Sequence, residues 1–194
     1  MPTERRIAKI RAVARNRQSG LVVVLEDIHD PHNAAAVLRT AEAFGIGSVR
    51  FIFTHEKPFN PKGIGKKSSS SANRWLEYRK YRHIRDCAKE LKKEGYEIIA
   101  TALDSRAESV FSAKLSGKKI ALLFGNESRG LTPEAIASAD RILAIPMRGM
   151  VQSLNLSVTA SIFLFAVTSA RMKRMGAYLL PVAEADRLAK RIVH

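Results

Sequence analysis

Three short runs hold residue types that can do chemistry. Asn33-x-x-Ala36-x-x-Arg39 sets an amide and a guanidinium on one segment. Gly125-Asn126-Glu127-Ser128-Arg129-Gly130 brackets an amide and a carboxylate between glycines. A third run leads from Ile145 through Pro146, Met147 and Gly149 into Gln152-Ser153-Leu154-Asn155. A guanidinium can grip a phosphate with two parallel hydrogen bonds, or stabilise a forming oxyanion. Glycine lets a ligand approach the backbone, while Asn and Glu supply hydrogen bonds. Ser-Leu-Asn at a helix start leaves N–H groups pointing outward. Each run also has a plain structural reading. Asn33 is well placed to cap the helix after the turn Asp30-Pro31-His32-Asn33, Arg39 fits a solvated helix face, and Glu127 fits a turn.

Other chemistries fail on spacing. Gly45-Ile46-Gly47 lacks the third glycine of a dinucleotide fingerprint and sits between a helix and a strand in the wrong order. Gly65-Lys66-Lys67-Ser68 has Lys67 where a phosphate loop needs Ser or Thr, and Asn60 where it needs glycine. The 125–130 run misses the nucleophile elbow by one residue. His29 and His32 have no cysteine or second histidine pair beside them, so no metal site is expected.

The elements that must position these runs follow from the apolar pattern. Leu21 to Leu25 (LVVVL) is wholly apolar and β-branched, the mark of a strand buried on both faces. Further strands are expected at Val49 to Phe53, Trp75 to Tyr78, Glu97 to Ala102, Lys119 to Phe124 and Ile142 to Ile145. Helices are expected at Thr3 to Arg17, from Asn33 to about Phe44, at His83 to Glu94, after Thr132-Pro133, from about Asn155 to Arg174, and at Val182 to Ile192. Strands alternating with helices predict an α/β domain with a mostly parallel sheet flanked by helices. Each chemical run then falls at the carboxyl end of a strand, where open parallel sheets bind ligands. Residues 54–74, with four Pro and Gly and a serine run after Lys66 and Lys67, read as a long basic loop.

Composition narrows the partners. The 194 residues include 33 Lys and Arg against 18 Asp and Glu, a net charge of +15, which points to a polyanion such as nucleic acid. The basic N-terminal arm, residues 1–20, offers Arg5, Arg6, Arg11 and Arg15, and the loop adds Lys66 and Lys67 as RNA-binding residues. The single cysteine, Cys87, excludes a disulfide framework within the chain and suits an intracellular, cytoplasmic protein. No run of about 18 apolar residues predicts a membrane span. The segment Leu156 to Val167 (LSVTASIFLFAV) is apolar on nearly every face, which in a domain this small predicts cover by a second copy.

Together the three runs resemble the SpoU branch of the SPOUT RNA 2′-O-ribose methyltransferases. Met147 to Val158 (MRGMVQSLNLSV) and Ile28 to Asn33 are most similar to the subgroup that methylates a D-loop guanosine of tRNA; the likeness spans residues 21–179. The resemblance implies a C-terminal deep trefoil knot in a methyltransferase domain of residues 21–175, a short basic helical tail at 176–194, a homodimer, and S-adenosylmethionine as cofactor without a metal. Carried over by position, the cofactor rests on Leu103, Gly125, Ile145, Met147, Ser153, Leu154 and Asn155. Arg39 matches the family's catalytic arginine, with Asn33, Glu127 and Asn155 orienting it. A guanidinium keeps its proton up to a pH of about 12, so a phosphate grip with alkoxide stabilisation suits Arg39 better than a role as base. Wobble-nucleoside or ribosomal RNA methylation, and a non-catalytic RNA-binding role on the same scaffold, stay open as alternatives.

Overall fold

The computed structural model describes residues 3–64 and 75–193. Lys66 and Lys67 lie outside the described residues. Seven strands form one sheet: β1 (Gln18–Glu26), β2 (Ile46–Ile52), β3 (Glu77–Tyr81), β4 (Glu97–Thr101), β5 (Glu108–Ser109), β6 (Ile120–Phe124) and β7 (Arg141–Ala144). Their order is β3-β2-β1-β6-β4-β7-β5, and every pair is parallel. The helices are α1 (Glu4–Arg15), α2 (Pro31–Ala43), α3 (Ile84–Lys93), α4 (Pro133–Ser138), α5 (Leu156–Met172) and α6 (Val182–Val193).

Alternation along the strands divides the core. Leu21, Val23 and Leu25 of β1 face a cluster with Val37, Leu38 and Ala41 of α2 and Phe163, Leu164 and Val167 of α5. Val22 and Val24 face the opposite cluster, with Cys87 and Leu91 of α3 and Ala135 of α4. The expected α/β architecture is therefore present: helices cover both sheet faces, and the middles of the central strands are apolar. A third cluster joins Ile10 and Ala14 of α1 to Ala185 and Ala189 of α6, so both ends of the chain pack together.

Several boundaries differ from the sequence expectation, each for a local reason. The first helix stops at Arg15, because Arg17 is buried (1% exposed) and donates to the Ile46 carbonyl at 3.1 Å and the Glu42 carboxylate at 3.1 Å. β1 starts at Gln18, ahead of the apolar run, and its register with β2 shifts between Gln18 and Val22. The expected strand at Trp75 to Tyr78 sits two residues later, paired with β2 through polar residues that carried no alternating pattern. β5 is two polar residues long, too short to show periodicity. Gly45 ends α2 at a φ of +76°, as expected.

The order of the strands builds a crevice. The chain leaves β1 towards β2 and leaves neighbouring β6 towards β7, on the other side. Loops at the carboxyl ends of these two strands therefore part, which is where open parallel sheets bind ligands.

Candidate active site

At that crevice, one carboxylate joins the loops. Glu127, just after β6, accepts the His29 backbone N–H at 3.0 Å on Oε2. Its Oε1 accepts the Asp30 backbone N–H at 3.2 Å and the Asn33 side-chain amide at 3.0 Å. Asn33 Oδ1 in turn accepts from Asn155 Nδ2 at 3.0 Å. Asn155 is the N-cap of α5, its Oδ1 accepting the Ser157 N–H at 2.8 Å and the Ser157 hydroxyl at 2.7 Å. One hydrogen-bond chain thus links residues 94 to 122 positions apart in sequence.

Asn33 does not cap its helix. Asp30 does, accepting the His32 N–H at 2.8 Å, with Pro31 in the first turn. That correction strengthens the chemical reading of Asn33: its amide, released from capping, is spent on Glu127 and Asn155. Arg39 lies six residues further along α2, with its side chain exposed.

The Gly125–Gly130 loop is held by its own side chain. Asn126, 7% exposed, donates to the Asp27 carbonyl at 2.7 Å, and its Oδ1 accepts the N–H groups of Ser128 (2.9 Å) and Arg129 (3.0 Å). Asn126 and Gly130 exchange backbone bonds, and Gly130 has a φ of +69°. Gly125 carries no side chain because none fits: a Cβ there would lie 2.2 Å from the Gly130 carbonyl carbon and 2.3 Å from the Leu131 nitrogen.

Sequence reasoning passed over two supports of this site. Asp27 adopts a left-handed φ of +48°, rare outside glycine, and its buried Oδ1 accepts N–H groups from Thr54 (2.8 Å), His55 (3.0 Å) and Glu56 (3.1 Å). Glu26, also buried, receives the Thr132 N–H (2.9 Å) and hydroxyl (2.8 Å), tying β1 to the start of α4; burial raises its carboxyl above the usual range. The only sequence signal for either was an acidic pair directly after an apolar strand.

Beside the cluster opens a cleft of about 360 Å³. Six of the seven expected cofactor residues line it: Leu103, Gly125, Ile145, Met147, Ser153 and Leu154. The seventh, Asn155, stands in the hydrogen-bond chain at its side instead. Phe124, Leu143 and Phe163 add an apolar floor, and Gln152 adds an amide at the rim. The volume falls within the range of small-molecule pockets, about 300–1,000 Å³. The polar demands of a ligand would be met largely by backbone groups of the 125–131 and 145–154 segments. Among the described residues no group of three or more metal-ligating side chains converges.

Residues 20–165 match the model of the SpoU rRNA Methylase family. The chain belongs to that family. It is 37% identical over 191 residues to the tRNA (guanosine(18)-2'-O)-methyltransferase of Thermus thermophilus, covering 97% of this chain and 94% of that one. The enzyme of the same name from Escherichia coli is 35% identical over 188 residues, covering 94% and 80%. The crystal structure of the Aquifex aeolicus TrmH/SpoU tRNA modifying enzyme superposes with a TM-score of 0.88 at 28% identity, over 97% of this chain and 95% of that one. In this SpoU methylase the arm arginines Arg5, Arg6, Arg11 and Arg15 are all exposed, Arg15 lying 3.8 Å from Asp186 of α6. Among the described residues, no helix is long and apolar enough to cross a membrane.

Proposed function

We propose that this methylase transfers a methyl group from S-adenosylmethionine to the ribose 2′-hydroxyl of a D-loop guanosine in tRNA. The observation that carries the reading is the Glu127–Asn33–Asn155 chain set against the glycine-cradled cleft. The activity named for the relatives that are 35–37% identical over nearly the whole chain supports the choice of RNA.

The residues present suit the cofactor. Gly125 leaves backbone for a ligand to approach, and Ile145, Met147 and Leu154 give apolar walls without competing side-chain hydrogen bonds. When bound, S-adenosylmethionine supplies an electrophilic methyl on a sulfonium. The remaining work falls to this chain. A 2′-hydroxyl is a poor nucleophile until its developing charge is stabilised. Arg39 grips the neighbouring phosphate and stabilises the negative charge that develops on the 2′-oxygen as the O–methyl bond forms, while the hydroxyl proton passes to solvent water and the sulfonium is left as a neutral thioether. Glu127 holds Asn33 and the start of α2 in register, so that the helix delivers Arg39 at a fixed height. Asn155 locks the same amide from the α5 side.

Other parts of the chain serve the same reaction. Residues 1–20 and a short basic tail at 176–194 flank a methyltransferase domain of residues 21–175, and the tRNA is gripped by Arg5, Arg6, Arg11 and Arg15 of the arm together with Lys66 and Lys67 of the 54–74 loop. The segment from β7 to α5 threads the trefoil knot that the family likeness implies. The working unit is a cytoplasmic homodimer. Its interface is the outer stripe of α5, where Val158, Phe165 and Met172 are 47%, 62% and 62% exposed.

Calorimetry tests the cofactor half. S-adenosylmethionine, or its demethylated product, should bind in the presence of EDTA. Absence of binding, or binding restored only by a metal, would contradict the proposal.

A further inference from the structure

Next to the catalytic cluster lies a second group of charges that the mechanism does not use. Glu56 follows β2 and is fixed by its own N–H on Asp27. Its carboxylate is divided between two basic side chains: Oε2 meets His29 Nδ1 at 3.0 Å, and Oε1 accepts from Arg129 Nη2 at 2.8 Å. Exposure is uneven. The Glu56 side chain is 18% exposed, against 76% for His29 and 56% for Arg129. The anion is tucked behind and the two cations face outward. Both are also fixed at the backbone: His29 N–H is on Glu127, and Arg129 N–H is on Asn126. Arg129 lines the mouth of the cleft as well.

We propose that His29 and Arg129, braced by Glu56, form a phosphate-binding site for the RNA strand beside the target ribose. This rests on the reading of the protein as an RNA methyltransferase. The geometry fits a phosphodiester. Two donors on separate loops are held at one corner by a shared acceptor, which leaves their remaining N–H groups towards solvent. A brace from behind removes much of the freedom that exposed His and Arg side chains would otherwise lose on binding. The brace also sets the charge. Donating to the Glu56 carboxylate raises the His29 imidazole above its ordinary range, so it holds its proton to a higher pH than a free histidine does. The charged groups around His29 are Glu56 behind it, Glu127 and Arg129 on the loop after β6, and Asp30 beside it in the chain. The charge is present below the raised pKa and disappears as pH rises through it.

The test is affinity for a tRNA transcript across salt and pH, with the full chain and the variants Arg129→Gln, His29→Gln and Glu56→Gln. Arg129→Gln should bind about tenfold more weakly and lower the slope of log K against log salt by about 1. His29→Gln should bind less tightly than wild type at pH values where the wild-type imidazole is charged and equal wild type once the imidazole is neutral. A structural defect would persist at every pH. Glu56→Gln should keep wild-type affinity at acidic pH and lose it at a lower pH than wild type does, because the brace no longer holds the proton. Wild-type affinity and salt slope in both cation variants would overturn the proposal, as would a pH-independent defect in His29→Gln. Salt-independent RNA binding by the wild-type protein would instead overturn the RNA reading itself.

Discussion

At the scale of single residues, Arg39 and Glu127 do different work. If Arg39 clamps a phosphate, lysine replaces a planar fork with a point charge, and Arg39→Lys should lose most activity at every pH. If it were a base, the more easily deprotonated amine should recover rate as pH rises. Single-turnover methylation by Arg39→Lys from about pH 7 to 10 separates the two, and a rate climbing to wild type would contradict the clamp. Glu127 accepts three donors on two oxygens. Glutamine offers one acceptor oxygen and turns an NH₂ against an N–H, so Glu127→Gln should lower turnover by about 10- to 100-fold while cofactor affinity changes far less. The runs that hold Asn33, Arg39, Glu127 and Asn155 were legible from residue type and spacing, and the fold joins Asn33, Glu127 and Asn155 by hydrogen bonds. The role of Asn33 was not legible, because an amide in the first turn looks the same whether it caps or reaches across. Only the position of Glu127 in space decides it. Asp27 and Glu56 were illegible for the same reason: their partners come from other loops.

At the scale of elements, the decisive piece is the loop from Gly125 to Gly130. A methyl group at position 125 would collide with backbone rather than with a movable side chain. Gly125→Ala should therefore shift the loop, destabilise the fold by about 1–3 kcal/mol, and weaken cofactor binding at least tenfold. Denaturant titration and calorimetry check the two effects, and an unshifted affinity would contradict the cradle. The buried Glu26 behind this loop gives a pH signature. Its raised carboxyl binds a proton more tightly folded than unfolded, so its contribution to stability falls as pH rises from its ordinary range through the folded pKa. A Glu26→Gln variant lacks that titration, so its melting temperature relative to wild type should rise over the same interval. The strands that frame the loop were legible because β1, β4 and β6 are buried on both faces and read as apolar runs. β3 and β5 were misplaced or unseen, since edge strands this short and polar owe their existence to pairing partners rather than to a pattern of their own.

At the scale of the whole molecule, the apolar run of α5 was legible as a helix needing cover. The sequence could not divide its faces. Leu156, Ala160, Phe163, Leu164 and Val167 are buried within the chain, while Val158, Phe165 and Met172 are exposed and form the stripe on which the dimer is proposed. Phe165→Asp should shift sedimentation from dimer to monomer at micromolar concentration, and a monomeric wild type would contradict the dimer. The net charge of +15 pointed to a polyanion but could not name it. The most direct measurement is mass mapping of ribose methylation on tRNA and ribosomal RNA after incubation with labelled S-adenosylmethionine. One labelled methyl is expected on a D-loop guanosine ribose of tRNA, absent with Arg39→Ala. Label on a base, on ribosomal RNA alone, or on no RNA at all would contradict the proposed function.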